Sequence, residues 1–74
     1  MIVDQKLSRR ISATATRETV IAVRYDTALP GLDKPAELVN TADGEVVYQS
    51  TFRNVLKIAE SELGLIVPMW SNLV

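Results

Sequence analysis

Two pairs of carboxylates stand close together in the chain, Asp43 with Glu45 and Glu60 with Glu62. Two acids converging in a cleft would divide into a proton donor and a base, or would hold a hard cation such as Mg²⁺ or Ca²⁺. Neither pair is placed for that work. The first brackets Gly44 in a turn and the second closes a helix, so both read as solvated surface. Histidine and cysteine are absent, which removes imidazole bases, thiolate nucleophiles, disulfides and zinc sites built on those ligands. The three glycines, Gly31, Gly44 and Gly64, lie too far apart to cradle a phosphate. The sequence therefore reads as non-enzymatic, with no catalytic residue, no metal ligand and no cofactor.

Binding is the chemistry that is left. Lys6, Arg9, Arg10, Arg17 and Arg24 put five cations against three carboxylates in residues 1–26. Residues 27–74 reverse the balance, with three cations against six carboxylates. If the N-terminal strands lie side by side, those five residues would form a stripe suited to phosphate contacts on nucleic acid. The whole chain argues against a general attraction, because its net charge is −1 and its pI near 5.2. A small nucleic-acid-binding or regulatory protein is accordingly the second expectation.

The first expectation is a protein-interaction module that pairs with itself, with another protein as a further partner. Seventy-four residues at 47% apolar content leave little interior in which to hide that surface. A chain this small usually leans on a disulfide, a metal or a partner, and only the partner fits this composition. Leu65, Val67, Met69, Trp70 and Leu73 form an apolar C-terminal segment beyond the last helix. They are the candidate interface of a homodimer, since Trp and Met are enriched where proteins meet. No stretch reaches the roughly 20 apolar residues that span a bilayer, and Asp4 and Lys6 interrupt anything resembling a secretion signal. A cytoplasmic protein with no membrane partner is expected.

The elements that would position these residues are legible to different degrees. Residues 11–16 alternate apolar and hydroxylated side chains, and residues 19–25 are rich in β-branched types, so both are expected as strands. Residues 1–10 read as a flexible basic arm or a weak strand. Pro30-Gly31 marks a turn within a loop over residues 27–36. Asp43-Gly44 is the dipeptide of a two-residue type I′ hairpin. That turn would pair Asn40 with Val47 and Val39 with Tyr48, setting Val39, Thr41, Val46 and Tyr48 on one face. Ser50 and Thr51 suit a helix N-cap. After them Phe52, Val55, Leu56, Ala59 and Leu63 recur at helical spacing, and Gly64 is positioned to end the helix in a left-handed conformation. Residues 65–67 read as a final strand stopped by Pro68.

Together these give one α+β domain over residues 1–74. Three to five mostly antiparallel strands pack on an amphipathic helix near residues 51–63, in the order β-β-loop-β-β-α-β, with residues 65–74 as an apolar strand or tail. A hairpin, a helix and a short strand form a unit common among small bacterial and phage accessory proteins. Residues 59–65 are similar to a segment of the AbrB-like antitoxins, but the Gly-Asp and strand repeat that should follow are missing. No family property is carried over.

Overall fold

The computed structural model describes residues 1–68. Four strands form one antiparallel sheet in sequence order: β1 (Ile2–Arg10), β2 (Thr16–Asp26), β3 (Pro35–Asn40) and β4 (Glu45–Thr51). One helix, α1 (Phe52–Ser61), follows β4 without a linker. The α+β expectation and the helix-on-sheet arrangement hold. Several boundaries and the strand sequence do not.

The first strand is β1, over residues expected to be either a flexible arm or a weak strand. Its partner register pairs Val3 with Tyr25 and Gln5 with Val23, and Leu7 is fully buried. Residues 11–15, expected within a strand, form the loop between β1 and β2. The N–H groups of Ile11 and Ser12 both donate to the Ala15 carbonyl, at 3.1 and 3.3 Å. Ser12 Oγ accepts from the N–H groups of Thr14 and Ala15. Alternation alone did not make a strand here, because alanine side chains bring little area to a core and the serine side chain offers the backbone a local partner.

The β3–β4 hairpin turns where Asp43-Gly44 predicts, but its loop is longer. Asn40 pairs with Glu45 across residues 41–44, and Gly44 N–H donates to the Asn40 carbonyl at 2.7 Å. Asn40 Oδ1 accepts from Ala42 N–H, and Asp43 Oδ1 accepts from Glu45 N–H, both at 2.9 Å. These side-chain bonds satisfy loop donors that a two-residue turn would have placed in the ladder. Val39 therefore pairs with Val46 and Leu38 with Tyr48, leaving Val47 as the extra residue of a bulge. Leu38 and Tyr48 belong to the core side, and Val39 faces away from it.

Helix α1 begins at an N-cap where Thr51 Oγ1 accepts from Asn54 N–H. Two further orphan donors of its first turn are met from the 27–34 loop: Phe52 N–H donates to Lys34 O and Arg53 N–H to Leu32 O, each at 2.8 Å. Phe52, Val55, Leu56 and Ala59 are the buried face, as their spacing requires. The helix ends at Glu62 as C-cap, sooner than residue 63. Gly64 takes the left-handed conformation (φ 65°), and Leu65 N–H reaches back to Ala59 O.

The helix lies over β3 and β4 and reaches β2. The chain then continues to the opposite edge of the sheet. There Ile66 N–H donates to the Ser8 carbonyl at 2.8 Å. This is an isolated antiparallel bridge on β1 and not the fifth strand expected over residues 65–67. Leu65 and Val67 drop into the core beside Leu7, Val23, Leu38 and Leu56. Each large side chain so buried contributes about 1.5–3 kcal/mol relative to exposure.

Candidate interaction surfaces

The acidic pairs keep local roles. Asp43 caps Glu45 N–H in the hairpin loop, and Glu60 and Glu62 are exposed at the helix end. Among the described residues, no group of three or more Asp or Glu could hold a metal ion. No described helix is long and apolar enough to cross a membrane.

The five basic candidates separate into two groups. Arg24 is engaged by Asp4, with Nε to Oδ1 at 2.7 Å and Nη2 to Oδ2 at 3.0 Å. The Arg24 guanidinium holds the Asp4 carboxyl below its ordinary value, through the hydrogen bonds first and the charge second. Lys6 stands 3.9 Å from Glu18. The other three gather at the end of the β1–β2 hairpin. Arg9 is the register partner of Arg17, and Arg10 that of Thr16. Arg10 Nη1 donates to Ala13 O at 3.2 Å.

The apolar candidates divide as well. Leu65 and Val67 are 3% and 6% exposed, taken up by the chain's own core. Met69, Trp70 and Leu73 lie outside the described residues.

The sheet face opposite α1 carries a surface that sequence reading missed. Cross-strand register places Asp4, Arg24, Glu37 and Gln49 in one row across it. The neighbouring row is Lys6, Ala22, Val39 and Val46. One end of this face is thus polar and the other largely apolar. Around the fully buried Val39 and Ala22, Val20, Val46 and Val47 remain 46%, 41% and 53% exposed. The available signal was in β4 itself, where residues 46–51 carry no charge. A strand at a sheet edge is ordinarily protected by charge, proline or cover.

The polar end opens into a cavity of about 310 Å³ lined by Arg24, Asp26, Leu29, Pro35, Glu37 and Gln49. Its charged groups are largely committed. Arg24 is clamped by Asp4, and Asp26 Oδ1 accepts from the Met1 amino group at 2.8 Å and from Ala28 N–H at 2.9 Å. The bonded amino group first, and the Ala28 N–H second, hold Asp26 below its ordinary value. Among the described residues lining this cavity, none pairs a nucleophile with a base. Comparison with family models, curated proteins and solved structures finds no match for the chain.

Proposed function

We propose that the protein is a non-enzymatic interaction module that associates with a second copy of itself through the β4 side of its sheet. The supporting observation is the half-exposed Val20, Val46 and Val47 beside an edge strand whose residues 46–51 are uncharged. A two-fold contact is self-complementary. Antiparallel approach of two β4 strands near their centres opposes no like charges, since Glu45 sits at the strand's end. The other edge is less available: β1 carries Asp4, Lys6, Arg9 and Arg10 and meets Ile66 at Ser8. Relative to the C-terminal segment expected from sequence, the proposed contact moves across the sheet, because Leu65 and Val67 are already used internally.

Sedimentation equilibrium across the micromolar range tests this. The expected result is twice the chain mass for the wild type and the single-chain mass for Val47→Lys, with an unchanged far-ultraviolet spectrum. Val47 is an exposed bulge residue, so the added charge leaves the core alone. A wild type that stays at single-chain mass throughout would overturn the proposal.

A further inference from the structure

The β1–β2 hairpin outruns the rest of the sheet. β3 pairs with β2 only over residues 21–25, whereas β1 and β2 remain paired through Ser8 with Glu18, Arg9 with Arg17 and Arg10 with Thr16. At its base the ribbon is held on the β1 side by the bridge from Ile66 to Ser8 and on the β2 side by Thr41, whose N–H and Oγ1 donate to Val20 O at 2.8 and 2.7 Å. Beyond it stand two strands closed by the loop over residues 11–15, whose Ile11 is 53% exposed. At about 3.4 Å per residue the paired part alone projects on the order of 7–10 Å.

Most of the charge on this ribbon is uncompensated, Glu18 at its base standing by Lys6. Like charges directly opposite each other on neighbouring strands are destabilising, and Arg9 and Arg17 are such a pair. Neither has an ion-pair partner among the described residues. Arg10 uses one guanidinium N–H on Ala13 O and keeps the rest. From Lys6 to Glu18 the chain has four cations and one carboxylate. Everywhere else it has four cations and eight carboxylates. A basic ribbon thus projects from an acidic body.

We infer that this ribbon inserts end-on into the major groove of duplex DNA, with Arg9, Arg10 and Arg17 on phosphates. The groove is about 12 Å wide and about 8.5 Å deep and admits a two-stranded ribbon. The corresponding groove of duplex RNA is too narrow and deep for side chains to read, so DNA is the favoured duplex. The acidic body is repelled by the phosphates, which leaves the ribbon's end as the approach and accounts for an acidic chain binding a polyanion. Contacts to phosphate carry no sequence information, so the binding is non-specific, with a dissociation constant on the order of 10⁻⁴–10⁻⁶ M at physiological salt. The contact is independent of self-association through β4.

Fluorescence anisotropy with a labelled random-sequence DNA duplex, titrated with salt, provides the test, with duplex RNA and heparin as competing polyanions. Three phosphate contacts give a log–log salt slope of about −2.7, and Arg9→Gln or Arg17→Gln should each make it shallower by about 0.9. Lys57→Gln, on the exposed side of the helix, should leave binding unchanged. Removing either member of the opposed arginine pair relieves repulsion, so the melting temperature of those variants should hold or rise, which separates lost contact from lost fold. No DNA binding at low salt would overturn the inference. So would an equal loss in Lys57→Gln, or binding of duplex RNA or heparin as tight as that of DNA.

Discussion

Lys34 sets its ammonium 4.6 Å from the centre of the Phe52 ring and 4.9 Å from that of Tyr25. The two rings are themselves 4.7 Å apart, tilted by 52°. The same ammonium donates to Leu29 O at 3.0 Å, and the Lys34 carbonyl accepts from Phe52 N–H. One residue therefore ties the 27–34 loop to the start of α1 by its charge, its side-chain donors and its backbone. Lys34→Met keeps the aliphatic stem and removes the charge. It should lower stability by about 0.5–1 kcal/mol, read as a lower urea midpoint at unchanged slope. An unshifted midpoint would mean that the stem alone accounts for the contact.

Gly44 closes the hairpin loop at φ 78°, and a Cβ there would meet nothing within 4 Å. The cost of a side chain is thus conformational and not steric crowding by neighbours. Gly44→Ala should destabilise by about 1–2 kcal/mol, and Gly44→Asn by less, because asparagine visits the left-handed region more readily. Thermal melts that rank asparagine at or below alanine would contradict this account of the loop.

The reach of sequence reading follows from these local energies. Helix α1 was legible because four large or well-spaced apolar residues and a hydroxyl cap agree on one element. The hairpin was legible in place but not in register: Asn40 and Asp43 satisfy loop N–H groups with their own side chains, and the bulge at Val47 then moves Tyr48 opposite Leu38. β1 was obscure because an edge strand needs few buried residues, and only Leu7 in it is fully buried. Of the candidate sites, Arg9, Arg10 and Arg17 are brought together, while Arg24 is separated from them by its bond to Asp4. Composition records each charge, but only register says which charge answers which.

Asp4 and Arg24 offer a pH test with a definite sign. The folded-state pKa of Asp4 lies below its ordinary value because Arg24 bonds its ionised form. The stabilisation is fully present above the unfolded carboxyl value, near pH 4, and is lost as pH falls through the lower folded value. Both groups are more than a third exposed, so the effect is small and screened by salt. Asp4→Asn should melt below the wild type at neutral pH, and the difference should close in acid. A difference that persists below both values would assign Asp4 a role other than its charge.

The bond from Ile66 to Ser8 also bears on the order in which the chain assembles. Each ladder of the sheet joins strands adjacent in sequence, so the hairpins can form early at little cost in chain entropy. The Ile66 clasp joins parts of the chain distant in sequence, so its closure costs more chain entropy than that of any hairpin. Placed at the base of the basic ribbon, it shares that position with Thr41, whose N–H and Oγ1 both donate to Val20 O, so the ribbon's root is held from both sides while its tip stands clear.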